Sequence, residues 1–232
     1  AIISVLDLDL TIVDKDLVRI FASGKYKEKI GKKVDKSSVF SYALKKKKSF
    51  IIKRPKKHEA CKKCSKRNDC EEYAEVCTPI IVDNEVIGVI ALIAFNQKQR
   101  EKIINNDKNI LNFLDQMSKL IATKFIEKRS KDQLKSQADE LEFILDSVET
   151  SIISTDPNGE IIHFNKMAKE TFKKVDKDIN LFDYLSIKKN KLQDIKSIIY
   201  NQKINFNRKR YVYTVKPIYN KNELVKYIFF FF

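Results

Sequence analysis

Residues 144–172 read ILDSVETSIISTDPNGEIIHFNKMAKETF, and their pattern decides the architecture of the C-terminal half. The strand-like run 150–155 stops at Asp156-Pro157-Asn158-Gly159 and resumes over 160–164, so the stretch is a β-hairpin with Pro and Gly where turns want them. Gly159 supplies a positive φ, Asp156 can cap the turn, and Asn165 stands where a short helix over 165–172 needs its N-cap. These three residues are therefore structural. Downstream, a helix is expected around 191–202 and two long strands over 207–219 and 223–232, giving the order β-β-α-α-β-β.

Upstream of this hairpin the period is helical. Ile103, Ile110, Leu114, Met117, Ile121 and Phe125 form one apolar stripe, a polar stretch covers 127–133, and Leu134, Ala138, Leu141, Leu145 and Val148 resume at spacings of four, three, four and three. No Gly or Pro falls between Gln97 and Val148, which predicts a nearly continuous helix. Its seam either pairs with the same helix of a second chain or packs half on each domain. The N-terminal half reads as a hairpin (8–14 and 17–22), a short helix capped by Ser37 or Ser38 with the lysine run 45–48 at its C-terminal end, and a strand over 50–53. A cysteine-rich stretch follows, then a second hairpin of 79–82 and 86–95 joined by Asp83-Asn84. The first six residues look like a helix tail and the last five like a strand cut short, so both ends read as truncated.

Lys and Arg number 46 against 31 Asp and Glu, a formal net charge of +15. The lysines are scattered and no aromatic residues interleave with them as a stacking platform requires, so a solvated surface is the better reading than nucleic-acid binding. No apolar run approaches the roughly 20 residues of a membrane span and no leader pattern is visible; a cytoplasmic protein without membrane contact is expected.

All four cysteines stand within 17 residues, at Cys61, Cys64, Cys70 and Cys77. Their clustering predicts convergence on one metal centre, with zinc, an iron–sulfur cluster and a dithiol–disulfide switch all open. Flanking Lys62, Lys63, Lys66 and Arg67 are expected to lower the thiol pKa values. His58 is a spare ligand or an exposed side chain. Asp7, Asp9, Asp14 and Asp16 lack a partner at a fixed offset and read as a solvated hairpin, and His163 reads as a pocket or surface residue. No nucleophile–base constellation is present, and the chain is expected not to be an enzyme. The four glycines cannot build a G-x-x-x-x-G-K phosphate loop, because Tyr26 stands where the first glycine of one ending at Gly31-Lys32 must be.

The string 144–172, with Asp156, Gly159 and Asn165 at its marked positions, resembles the opening of a PAS domain. Residues 1–125 look like a GAF-type or related PAS-like domain. The string from His58 through Phe95, with its cysteine-rich loop and VIGVI strand, resembles the N-terminal sensor of certain sigma-54-dependent transcriptional activators of Firmicutes. The resemblance implies an α/β (α+β) chain of two tandem GAF/PAS-like domains: residues 1–125 with the Cys-rich loop 58–77, a connector helix over 126–149 continuing from about 97, and a PAS domain over 150–232. It also implies a signal-sensing region of a transcriptional activator that responds to a small ligand or to redox or metal state. A small-molecule ligand in the PAS pocket and a homodimer through the connector helix go with this reading. DNA and sigma-54 RNA polymerase would be engaged only through an AAA+ ATPase and a DNA-binding domain absent from this chain. The alternative is the input region of a histidine kinase or a cyclic-dinucleotide enzyme.

Overall fold

The computed structural model describes residues 7–189, 192 and 197–232. The expected helix tail at 1–6 lies outside the described residues. The chain divides into two compact units, residues 1–131 and 132–232. Each is built on one antiparallel five-stranded sheet, and the two sheets repeat one topology.

In the first unit the strands are β1 (Asp9–Asp14), β2 (Arg19–Ala22), β3 (Phe50–Ile52), β4 (Ala74–Val82) and β5 (Glu85–Ala94), in the order β2-β1-β5-β4-β3. β4 and β5 are buried on both faces, which is why their sequence is a near-continuous apolar run and not an alternation. The Asp83-Asn84 turn between them has both residues at positive φ (49° and 66°), the twist-matched geometry of a two-residue hairpin. One sheet face, with Ile90, Leu92 and Ala94, is covered by α2 (Gln97–Asn105) and the start of α3 (Asp107–Ser147) through Ile103, Ile110, Leu114 and Ala122. The opposite face, with Val13, Cys77, Val89, Ala91 and Ile93, is covered by α1 (Val39–Lys46) and by a 3-10 turn at Glu59–Cys61. Ser38 caps α1, accepting from the Ser41 amide, and Lys45 and Lys46 occupy its last turn as the dipole favours.

The helix expected to run unbroken from Gln97 is interrupted at Asn106 (φ −126°, ψ 29°) without Gly or Pro. The Asn106 side chain donates to the Lys102 carbonyl, offering the backbone a competing partner. Asp107 then opens α3 with a carboxylate at its N-terminus, paired with Lys53 at 2.7 Å. At 41 residues α3 is about 60 Å long by the helical rise. Its buried residues are Ile110, Leu114, Ser118 and Ala122, all in its first half.

The second unit comprises β6 (Ser151–Thr155), β7 (Ile161–Phe164), α4 (Lys166–Thr171), α5 (Leu181–Leu185), β8 (Ile199–Phe206), β9 (Lys209–Asn220) and β10 (Glu223–Phe231), in sheet order β7-β6-β10-β9-β8. The expected helix over 191–202 is corrected at its C-terminal end: Ile199–Phe206 is a strand, paired with β9 through the positive-φ turn Asn207-Arg208. Residues 191 and 193–196 of that expected helix lie outside the described residues. Gly159 has φ 98°, and Asp156 Oδ1 accepts from the amides of Asn158 and Glu160, both at 2.8 Å. Asn165, fully buried, ties four backbone groups together: its Oδ1 accepts from Ile152 and Ala168, and its Nδ2 donates to Leu145 and Thr150, all at 2.9–3.0 Å. The interior holds a ring cluster in which Phe172 meets Phe231, Tyr211 and Phe206 at centroid distances of 4.9, 5.3 and 5.8 Å.

Candidate functional site: a buried arginine and a carboxyl pair

Alternation along β1, β2 and β4 brings charge onto the covered face of the first sheet. Arg19 pairs with Val13, and Glu75 pairs with Ile52 and Ile93, so both share the face that carries Ala91 and Cys77. Arg19 is 5% exposed and Glu75 1%. Such burial is costly for a charge unless it is paired or used. The Arg19 guanidinium lies 4.3 Å from the Tyr26 ring centroid and 5.7 Å from that of Phe40, and it donates to Thr11 Oγ1. Among the described residues it makes no ion pair within 4.0 Å, although a guanidinium carries five N–H donors.

Opposite stand two carboxyls. Tyr26 donates to Glu72 Oε1 at 2.6 Å, and the Cys77 thiol donates to Glu75 Oε1 at 3.0 Å. Burial first, and then the neighbouring Glu72 charge, push the Glu75 carboxyl well above the usual range; burial raises Glu72 as well. Burial likewise raises the Tyr26 phenol, so it stays a donor. Arg19, Tyr26, Phe40, Glu72 and Glu75 line one cavity of about 550 Å³, with Lys29, Lys32, Lys33 and Lys66 among its other walls.

The cysteine-rich loop contributes to the wall of this cavity. Ser65 donates through its Oγ to Asp35 Oδ2 at 2.8 Å and through its amide to Ser37 Oγ at 2.9 Å, and Arg67 Nε donates to the Lys56 carbonyl at 2.8 Å. The serine donors hold Asp35 down to about 2. Cys64 and Cys70 line the cavity, whereas Cys61 is buried in the core and Cys77 lies inside β4, 0% exposed. Among the described residues no three His, Cys, Asp or Glu side chains converge as a metal-holding group.

The four thiols are not equivalent in their surroundings. Cys77 is committed to the sheet face as a protonated thiol: burial and then the Glu75 charge push its pKa up. Burial also raises Cys61, and it raises Cys70 to about 11, so the lysine-lowered thiols expected from the flanking charges are corrected for these positions. His58 accepts from the Ala60 amide through Nδ1 at 3.2 Å and stacks on Phe50 at 5.9 Å, which gives it a structural role.

The pocket residues were missed in the sequence, where two signals pointed to them. Arg19 interrupts the apolar strand Leu17–Ala22, and Glu75 interrupts the run from Ala74 to Val82. A charge at a core position of a strand is a candidate site residue.

The architecture is two antiparallel five-stranded sheets of one topology, each with flanking helices, as expected of tandem GAF/PAS-like domains. A family described as Stage V sporulation protein T C-terminal, transcription factor, matches residues 1–112. The chain is 25% identical over 177 residues to the "Putative uric acid sigma-54-dependent transcriptional regulator UacR" of Escherichia coli (strain K12); the match covers 76% of this chain and 30% of that protein. The chain thus spans under a third of the length of that relative. Among solved structures, the E. coli DhaR(N)–DhaL complex covers 97% of this chain and 79% of its own, with TM-score 0.57 and 15% identity. The A. aeolicus nlh2 GAF domain in an inactive state covers 55% of this chain and 79% of its own, with TM-score 0.41 and 17% identity. Among the described residues no helix is long and apolar enough to cross a membrane.

Proposed function

We propose that the chain is the signal-sensing region of a sigma-54-dependent transcriptional regulator, and that the signal is a small molecule held in the first unit. The observation that carries this reading is the Arg19 guanidinium, buried against Tyr26 and Phe40 and lining a cavity, with no carboxylate within ion-pair distance among the described residues. The similarity to a sigma-54-dependent regulator over three quarters of the chain supports the same assignment. In this reading the region binds and does not turn its ligand over. Occupancy biases α3, which leaves the first unit and enters the second, and regulation of transcription is exerted by other parts of the regulator.

The test is a thermal-shift screen of the chain against a metabolite library that includes urate, repeated on Arg19→Met. At least one compound is expected to raise the Tm of the wild type and not that of the variant. A library with no compound whose stabilisation depends on Arg19 would overturn the proposal.

A further inference from the structure

We infer that Cys61 and Cys64 are a redox-active dithiol that a small-molecule disulfide closes to an intramolecular disulfide at the wall of the cavity, while Cys70 and Cys77 remain thiols. The inference goes beyond the ligand-sensing reading and does not depend on it.

The local backbone sets the pair. His58 accepts from the Ala60 amide and starts a 3-10 turn over Glu59–Cys61. Three-residue steps then run on along the loop: the Cys61 amide donates to the His58 carbonyl at 3.0 Å, Cys64 to Cys61 at 3.2 Å, and Arg67 to Cys64 at 3.1 Å. In such turns side chains three residues apart eclipse, and a rise of about 2.0 Å per residue sets their Cα atoms about 6 Å apart. That separation lies inside the window of roughly 4.4–6.8 Å that a disulfide spans between Cα atoms. The loop is also tied at its flanks. Arg67 Nε donates to the Lys56 carbonyl at 2.8 Å, Lys56 Nζ donates to the Asn68 carbonyl at 3.0 Å, and Ser65 donates to Asp35 and Ser37. Two thiols held in this way react as neighbours in one molecule, without the entropy cost of a bimolecular encounter.

Surroundings assign the roles. Cys64 is half-buried and lines the cavity, where an oxidant reaches it, and Cys61, 6% exposed, stands behind it in the core. Cys64 gives up its proton and attacks one sulfur of the incoming disulfide; the other sulfur leaves as a thiolate and is protonated. Cys61 then gives up its proton and attacks the Cys64 sulfur of the mixed disulfide, expelling the second small thiol. Two protein thiols are thereby oxidised to one disulfide, and one small disulfide is reduced to two thiols. Cys77 is kept out of the exchange inside β4, where it is 0% exposed and its thiol donates to Glu75. The Cys70 sulfur stands 4.0 Å from a Glu72 carboxyl oxygen, and burial holds its thiol up at about 11, so little of it is thiolate.

The test treats the reduced chain with glutathione disulfide, blocks the remaining thiols with N-ethylmaleimide and maps the tryptic peptides by mass. Lys62 and Lys63 lie between the two cysteines, so trypsin releases residues 58–62 and 64–66 as separate peptides, and Cys70 and Cys77 share the peptide 68–98. Peptides 58–62 and 64–66 are expected to appear joined by a disulfide, with both cysteines of 68–98 carrying the blocking group. Cys61→Ala is expected to stop at the mixed disulfide of Cys64 with glutathione, and Cys64→Ala to leave Cys61 reduced. A disulfide from peptide 68–98 to either partner, a glutathione adduct that persists on Cys64 of the unaltered chain, or no loss of thiols at all would overturn the pair. Four thiols that resist both reagents until a chelator is added would overturn it too, since they would then be ligands of one metal. The linkage is read on the unaltered chain, so the outcome does not depend on how well a variant folds.

Discussion

The Cys77 thiol donates to the Glu75 carboxyl two residues before it on β4, at 3.0 Å, on a sheet face sealed from solvent. One strand period separates the two side chains, so the backbone itself holds a thiol against a carboxyl. Cys77 is thereby held in the core of the first unit, in the same buried cluster as Cys61.

Thiol reactivity should follow burial. Cys64 and Cys70 are half-buried, and Cys61 and Cys77 are buried. Timed alkylation at about pH 7.5 with peptide mass spectrometry is expected to label Cys64 and Cys70 first, with Cys77 labelled only on unfolding. Simultaneous protection of all four thiols, released by a chelator, would show instead that they share a metal centre.

Glu75 makes stability depend on pH in a definite direction. Its folded-state pKa lies above its unfolded value, so its contribution is fully present below the ordinary glutamate range and is lost as pH rises through the raised value. Glu75→Gln keeps an acceptor oxygen for the Cys77 thiol and removes the ionisation. Thermal unfolding between about pH 5 and pH 9 should show the variant gaining on the wild type as pH rises. A difference that stays constant over that range would mean that Glu75 is not held protonated.

In the second unit, Asn165 and Gly159 carry strain and polarity that no substitute reproduces. Asn165→Ala strands four buried or half-buried backbone groups and should cost about 3 kcal/mol or more. Gly159→Ala forces an L side chain to φ 98° and puts a Cβ 2.6 Å from Asn180 Oδ1 and the Phe182 ring, for about 2–4 kcal/mol. Denaturant titration followed by near-ultraviolet circular dichroism is expected to show the transition of the second unit moving alone. Equal movement of the first would mean that the two units unfold together.

These last two residues were legible in the sequence because their roles are local: a turn of four residues and a helix start announce themselves by residue type. β8 was not legible. Its residues 199–206 read IYNQKINF, with polar residues at exposed positions, and it becomes a strand through pairing with β9 across the Asn207-Arg208 turn. The cavity was illegible for the same reason at longer range. Arg19 and Glu72 are 53 positions apart and meet only after β1 and β5 have inserted between β2 and β4.

The C-terminal half of α3, with Val148 just beyond its end, carries a seam that its own unit does not bury. Leu134, Leu141 and Val148 are 66%, 61% and 39% exposed, and with Ala138 and Leu145 they repeat at alternating spacings of four and three. That spacing is the a/d pattern by which two helices pack knobs into holes, and burying each such Leu is worth about 1.5–3 kcal/mol. The chain is expected to form a parallel homodimer along residues 134–148, with a second copy supplying the same seam to each copy. Light scattering at roughly 100 µM should give twice the chain mass for the wild type and the single mass for Leu141→Lys with Leu145→Lys, which places four ammonium groups in the paired seam. Unchanged helix content by circular dichroism would show that the variant has lost its partner and not its helix. A wild-type chain that scatters as a monomer at that concentration would remove the dimer.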